Sequence, residues 1–510
     1  MKFRFRFLSG ILLLLAAVTH IKCNKDKLNI PPPNPSEASY FTNENEFRAA
    51  ILGAYAATTD YYSSSNIPGG SGSAEQEVFF LPGDDLTVTG TPAEAFEVFG
   101  NAITPATGKI QEIFGSSYVL INRANKVLEK IEAVPDGIYK TPNLKDYNKG
   151  EALFLRGFAH YMLWNIFGTA PVNTVTPTTP DQLNPPSSKG TELLDQAIKD
   201  FTDAAALLPP SWSTTDVGRA TANSANGMLG KCLVFRATVN KTIADYQAGI
   251  AAFDKINGAA LTPNFEDNFD VSKENNQESL YEFQAGVNIN GFQNSWLSND
   301  QADVGVSGSY WQCYYNGNGT YMGGGLYTAT AKLKNSFDPN DPRLPLTLNV
   351  SNNNITRYIL KDQPEGPCNS RNNARILRYA DVLLLKAEAL LQSGGSTSSA
   401  IGLINQVRTR ARNMVNGGTQ PADFDIAETN KSAIMQLIMD ERLRELAGEG
   451  QRWFDLRRWA IGGIITLNNN FFSSANSTQM AWNNDNHFLN FPIPNSETDK
   501  NPNIKQNPGY

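Results

Sequence analysis

The sequence predicts a mostly α-helical protein: helix pairs of the tetratricopeptide kind forming a scaffold, with a loop-rich ligand-binding face. Three observations predict it. Many segments carry apolar residues at three- and four-residue spacing, the period of a helix with one buried face. Small residues fall where facing helices cross: Ala152 and Gly157, Ala225 and Gly230, Ala387 and Ala389. Long tracts without helical period separate these segments, and long loops in a folded domain are commonly functional.

Taken in order, "MKFRFRFLSGILLLLAAVTHIKC" sets Lys2, Arg4 and Arg6 before an apolar run from Leu8 to Val18. That run is too short for a spanning helix, which needs about 20 residues, and fits the apolar region of a signal peptide over residues 1–22. Cys23 follows at once, as in bacterial lipoproteins, where the residue after the cut is acylated. The other reading is a plain signal peptide with an incidental cysteine, and Lys22 stands where a lipoprotein signal carries a small residue. Residues 23–36, with "NIPPPNP", read as a lipidated N-terminus and an extended polyproline tether. Residues 37–510 read as one domain, an N-terminal part over about 37–240 and a C-terminal part over about 260–510.

Within the domain, "NEFRAAILGAYAATTDYY", "GSSYVLINRANKVLEKIEAV", "NKGEALFLRGFAHYMLWNIFG", "TELLDQAIKDFTDAAALL", "TANSANGMLGKCLVFRATVN" and "TIADYQAGIAAFDKIN" read as helices. So do "LRYADVLLLKAEALLQSGG", "SSAIGLINQVRTRARN" and "KSAIMQLIMDERLRELAGEG". Residues 60–110 and 260–375 are the irregular tracts, rich in Gly, Asn, Ser and aromatics.

Bulk properties exclude several functions. The chain has 510 residues, 41% of them hydrophobic, which is enough for a large core. A net charge of −7 argues against nucleic acid, whose phosphates call for a basic face. Its three histidines are His20, His160 and His487, and His160 lies on the apolar "FAHYMLW" helix as a packed residue. No HExxH, G-x-S-x-G, P-loop or paired CxxC is present, so no metal or cofactor is implied. "FDPNDPR" places Asp338 near Asp341; it reads as a turn, with calcium as the other reading. Cys232 reads as a core thiol, while Cys313 and Cys368 are free to pair in an oxidising compartment.

One stretch stands apart. "ERLRELAGEGQRWFDLRRW", Glu441 to Trp459, holds four carboxylates and five guanidiniums. Glu441, Glu445 and Glu449 share one helical face if the helix runs that far, and Gly448 and Gly450 predict its end. A glycosidase needs a carboxyl of raised pKa facing a partner across an open cleft. Abundant arginines do the opposite and hold carboxylates ionised. Glu441, Glu445, Glu449, Arg452, Asp455 and Arg457 therefore read as a structural ionic brace, part-buried by Trp453, Phe454 and Trp459, with no catalytic residue among them.

The same stretch closely resembles the C-terminal signature of the SusD/RagB family of outer-membrane nutrient-binding lipoproteins. "ILRYADVLLLKAEALLQSGG…AIGLINQVRTRAR" resembles the helix pair before that signature, and "EALFLRGFAHYMLWNIFGTAPV" resembles the family's N-terminal helical motif. "FPIPNSETDKNPNIKQNPGY" is similar to its ending. Together the matches run from Cys23 to Tyr510.

The resemblance implies a non-enzymatic, lipid-anchored protein on the cell surface of the outer membrane. It implies that an oligosaccharide is captured and passed to a SusC-like TonB-dependent transporter. It also points to loops of the two irregular tracts as the ligand surface. Sugars stack on aromatic faces while amides and carboxylates serve their hydroxyls. The candidates are Trp296, Trp311, Tyr315, Tyr314, Tyr310, Tyr321 and Asn294 in the later tract, and Phe96, Asp84 and Asp85 in the earlier one. Two alternatives stand beside this reading: a peptide binder, as some RagB-like members are, and a glycoside hydrolase using Glu441 with Glu445 or Asp84 with Asp85.

Overall fold

A computed structural model describes residues 40–62, 76–88, 103–285, 327–353, 355, 372–473 and 486–510. Cys23, Cys313, Cys368, Phe96, Asn294, Trp296, Tyr310, Trp311, Tyr314, Tyr315 and Tyr321 lie outside the described residues.

The described chain is mostly helical. It runs through α1 (Glu44–Ala56), strand β1 (Leu86–Val88), α2 (Gly108–Ala133), α3 (Leu144–Phe167), α4 (Glu192–Leu207), α5 (Ala222–Asn240) and α6 (Ile243–Phe253). Strands β2 (Ser279–Phe283) and β3 (Tyr327–Ala329) follow, then α7 (Ala331–Ser336) and β4 (Ala374–Arg378). The last long helices are α8 (Tyr379–Gln392), α9 (Thr397–Arg412), α10 (Lys431–Glu445) and α11 (Arg452–Ile461).

Starts are chemically marked. The side chain of Asn43 accepts from the first free amides of α1, Thr221 and Ser224 form a reciprocal cap on α5, and Asn430 caps α10. The array is continuous: α3 packs between α2 and α4, α4 on α5, α5 on α6, α6 on α8, and α8 on α9 and α10. Two helices are enclosed on all sides. Every residue from Glu151 to Phe167 in α3 and from Ser224 to Phe235 in α5 is buried. Their buried spans are mostly apolar, as fits a core helix, and the charges they carry are paired: Glu151 with Arg219, Arg156 with Asp200 and Lys231 with Asp381.

Small residues permit these contacts. A Cβ on Gly230 of α5 would come within 2.3 Å of the Phe253 ring of α6, and one on Gly157 of α3 within 3.1 Å of Asp200 of α4. Between α5 and α6 the chain reverses through Lys241 in the left-handed region (φ 56°). His160 is buried, with Nδ1 3.0 Å from the Arg156 carbonyl oxygen, and burial pushes its pKa down to about 3. Cys232 is buried in α5.

Two small antiparallel sheets interrupt the helices. β1 pairs with β3, setting Val88 opposite Tyr327, and β2 pairs with β4, setting Phe283 opposite Ala374. The β4 ladder passes straight into α8, where the Tyr379 amide donates to the Glu278 carbonyl at 2.8 Å. At the other end of the scaffold the C-terminal segment docks on the end of α3. Phe491 N donates to the Ile166 carbonyl, and Asn507 Nδ2 donates to the Phe167 and Phe491 carbonyls. Among the described residues no helix is long and apolar enough to cross a membrane.

Candidate functional site

The charged stretch sits in the interior, where it forms three connected groups of ion pairs. In the first, Arg343 grips Asp341 through Nε and Nη2 (3.0 and 2.7 Å), and its Nη1 reaches both Glu441 (2.7 Å) and Glu445 (2.8 Å). Arg378 forms a fork on Glu449 at 2.8 Å per arm and bonds Glu278 and Glu445 at 2.7 Å each. Arg410 bridges Glu278 and Glu445, while Arg408 and Arg444 each donate to Glu441 at 2.8 Å. Five carboxylates thus meet five guanidiniums, and every member is buried.

The second group follows α5, α8 and α11. Arg442 joins Asp381 and Asp455 (2.7 Å each), Lys231 meets the other oxygen of Asp381 at 2.8 Å, and Arg458 forks onto Glu388 while bonding Asp455. Trp459 donates its indole N–H to Glu388 at 3.2 Å. In the third, Arg452 grips Asp84 (2.5 and 3.0 Å), and Lys332 of α7 takes a second position on the same carboxylate.

Burial alone raises a carboxyl's pKa, because it penalises the charged form. Here the arginines overcome it. Despite burial, Arg410 and Arg378 hold Glu278 down at about 2, and Arg452 and Lys332 hold Asp84 at about 2. Glu441 and Asp381 are held below the carboxylate range, and Glu445 is lowered as well. Neither Glu441 nor Glu445 has the raised pKa that a glycosidase acid requires.

Asp85 differs. Burial, then the neighbouring Asp84 charge, pushes its pKa up to about 6. Its Oδ2 accepts only a long bond from the Gly448 amide (3.4 Å), and Oδ1 has no hydrogen-bond partner. Two neighbouring carboxyls with pKa values pushed apart have the pattern of an acid–base pair. Both, however, are buried, at 0% and 2% exposure, and Asp84 is already paired through both oxygens. The structure therefore corrects the reading of Asp84 and Asp85 as ligand contacts: they face the ionic interior.

Two further expectations change, and a third stands. α10 stops at Glu445, and Gly448 and Gly450 turn the chain at φ 70° each, so Glu449 reaches Arg378 from the turn, off the helical face. Arg457 has no carboxylate partner among the described residues. It donates to the Leu489 carbonyl and to Asn490 Oδ1, and its guanidinium lies 4.4 Å over the Trp164 ring. Burial pushes its pKa down to about 9, still cationic at neutral pH. It ties α11 to the C-terminal segment. In "FDPNDPR", the carboxylate of Asp341 is committed to Arg343 and Asp338 caps the Asn340 amide at 2.8 Å, so the turn reading holds there and calcium has no free ligands in Asp341.

The interior partners Arg343, Arg378, Arg408, Arg410, Glu278, Glu388, Asp381 and Lys231 escaped the sequence reading. A signal existed for some of them: Arg378, Asp381 and Glu388 interrupt the apolar run "ILRYADVLLLKAEALL" at positions a buried helix cannot leave unpaired.

The network also positions the roots of the irregular tracts. β1 leads into residues 89–102 and β3 emerges from 286–326, and their pairing sets these roots side by side. Asp84 and Asp85 immediately precede β1. Thr330, after β3, donates its amide to the Asp85 carbonyl (2.9 Å) and its hydroxyl to the Asp84 carbonyl (2.8 Å). On the second sheet, Glu278 and Arg378 flank β2 and β4, which border residues 286–326 and 356–371.

A helix-pair scaffold locked by buried ion pairs, with long tracts rising from two short sheets, defines a class of loop-bearing helical proteins. The family model of the SusD family matches residues 349–510, and a second, described as starch-binding associating with outer membrane, matches residues 83–234. The chain belongs to the SusD/RagB family. A SusD-like protein of Formosa agariphila is 26% identical over 495 residues, covering 89% of this chain and 92% of that one. The starch-binding protein SusD of Bacteroides thetaiotaomicron is 30% identical over 139 residues, 26% of this chain and 21% of that one. A solved structure of a laminarin binding SusD-like protein superposes with a TM-score of 0.71 at 22% identity, covering 92% of this chain and all of that one.

Two outcomes test the electrostatics. Glu445→Ala takes a shared carboxylate from Arg343, Arg378 and Arg410, which keep their other partners, and leaves the buried group one negative charge short; breaking a buried ion pair costs about 3–5 kcal/mol. Thermal unfolding at neutral pH should show a large fall in melting temperature; an unchanged value overturns the brace. Asp85 works in the opposite sense to Asp84, Glu278 and Glu441. Its folded pKa lies above its unfolded value near 4, so its contribution is fully present at low pH and is lost as pH rises through about 6. Asp85→Asn removes that loss, and above pH 7 it should stabilise the protein by on the order of 2 kcal/mol, with little gain at pH 4. Denaturant melts at both values check this, and an equal effect at both pH values contradicts it.

Proposed function

We propose that the protein is a surface glycan-binding lipoprotein that captures an oligosaccharide and delivers it to a SusC-like TonB-dependent transporter. The observation that carries this reading is the pairing of β1 with β3, which gathers the roots of both aromatic-bearing tracts at one place on a rigid scaffold. From those roots spring the segments holding Phe96, Asn294, Trp296, Tyr310, Trp311, Tyr314, Tyr315 and Tyr321. Aromatic faces and amides on loops held by a stiff base are what sugar recognition needs: apolar stacking area plus directed hydrogen bonds at low ordering cost. The names of the starch-binding and laminarin-binding relatives agree with a glycan as ligand.

A binder, with no catalysis, fits the interior carboxylates, whose oxygens are already occupied by arginines. Residues 1–22 act as the signal peptide and residues 23–36 as an acylated tether from Cys23 to the outer membrane, carrying the single domain 37–510 at the cell surface.

Calorimetric titration of the chain from residue 24 against oligosaccharides and peptides, with product analysis on the same samples, tests the ligand class. Saturable binding to one glycan class without turnover is expected, and Trp296→Ala or Trp311→Ala should weaken it at least about tenfold, equal to about 1.4 kcal/mol. Turnover, or binding of peptides alone, refutes the reading. For the anchor, Cys23→Ser should move the protein from the membrane fraction to the soluble fraction; continued membrane retention argues against acylation.

A further inference from the structure

A cleft of about 320 Å³ opens on the scaffold. Its walls are the connection between α4 and α5, the start of α5, the turn after α6 and the segment entering β2. Trp212, Asn223, Asn257, Asn276, Gln277 and Glu282 line it. The volume lies at the small end of the range of about 300–1,000 Å³ typical of small-ligand sites.

The rim is pre-organised. Asn223 bonds both backbone groups of Asn257, donating to its carbonyl at 2.7 Å and accepting from its amide at 3.1 Å. The Asn276 side chain accepts from the Glu278 amide (2.9 Å) and donates to the Asp267 carbonyl (3.2 Å). Gln277 fixes its Nε2 on the Leu261 carbonyl at 2.8 Å, leaving its Oε1 as an acceptor. Trp212 is half-buried: its indole N–H donates to the Ala220 carbonyl at 2.8 Å, and the Arg219 guanidinium stacks 3.9 Å over its ring.

The inner end holds unspent polar capacity. Glu282 is 3% exposed; its Oε2 accepts from Asn275 N and Asn373 Nδ2, but its Oε1 has no hydrogen-bond partner. Arg375, also 3% exposed, lies 3.3 Å from that Oε1, out of line for a hydrogen bond. Its Nε and Nη2 likewise have no hydrogen-bond partner. Buried polar groups are normally hydrogen-bonded, so an ion pair whose facing atoms make no hydrogen bond calls for a reason.

The charges also decide the class of ligand. The charged groups of the lining are already paired, Glu282 with Arg375 behind it and Arg219 with Glu151 and Asp216, so neither an anion nor a cation is favoured, whereas a hydroxyl both donates and accepts and suits the amides of the rim. We propose that this cleft is a second contact site for a neutral, polyhydroxylated ligand, a short stretch of the captured oligosaccharide. Its walls, among the described residues, are segments of the helical scaffold and of β2 with the chain entering it. It rests on the glycan-binding reading above and extends it to a second point of attachment. Two contacts joined by one chain raise overall affinity beyond either alone when the chain spans them.

Hydrogen–deuterium exchange of the chain from residue 24 tests this, with saturating six-unit gluco-oligosaccharides of α-1,4 and of β-1,3 linkage as probes. The proposal expects slowed exchange over residues 210–221 and 275–282 in addition to the aromatic tracts. The double variant Asn257→Ala with Gln277→Ala, both exposed side chains, should abolish the cleft protection and weaken binding about tenfold while melting like the parent. Protection confined to residues 89–102, 286–326 and 356–371 overturns the second site and leaves glycan capture standing. No protection by any oligosaccharide, or protection by peptides alone, overturns both.

Discussion

Arg343 and Arg378 tie together chain segments that are far apart in sequence. Arg343 comes from the segment after α7, Arg378 from the end of β4, and both close on Glu445 at the end of α10. Around them every carboxylate of the first group shares at least one guanidinium, and each guanidinium serves at least one carboxylate. That closure matters because the cost of removing these charges from water is large and is offset only when each group is satisfied. A buried network of this kind is weak support for net stability and strong support for uniqueness: it accepts one arrangement of helices and penalises the rest. Its specifying role follows from geometry, since forks such as Arg378 on Glu449 fix both distance and direction.

The network's reach explains how a mostly helical body carries loops. Sheets of two strands, one of three residues per strand and the other of five, are too small to be stable by themselves. They persist because their ends are tied into the ionic interior, β1 through Asp84 to Arg452 and Lys332, and the β2–β4 pair through Glu278 and Arg378. Asp85 is the exception within this arrangement, a carboxyl with neither a cation of its own nor access to water.

The helical array supplies the other half of the rigidity. α3 and α5 are enclosed on every side, and Gly157 and Gly230 allow their partners to approach closely. The connection between α4 and α5, residues 208–221, is tied down by side chains such as Trp212 and Arg219, which is why a pre-organised cleft can form there.

By itself the sequence determined the helices, their pairing and the ionic character of Glu441 to Trp459. Periodicity, small residues at crossings and matched numbers of carboxylates and guanidiniums are local properties that survive in one dimension. The family was legible too, because its signatures fall in the rigid helices. Tertiary structure alone decided who pairs with whom. Arg343 lies 98 residues from Glu441, and Asp84 lies 368 residues from Arg452, distances across which no local pattern carries information. For the same reason Asp84 and Asp85 read as loop carboxylates until the fold enclosed them, and Arg457 read as a carboxylate's partner until its charge was found on Trp164 and the C-terminal backbone. The cleft at Trp212 was equally hidden, since its residues come from three separate segments that only the packing of α5, α6 and β2 brings together.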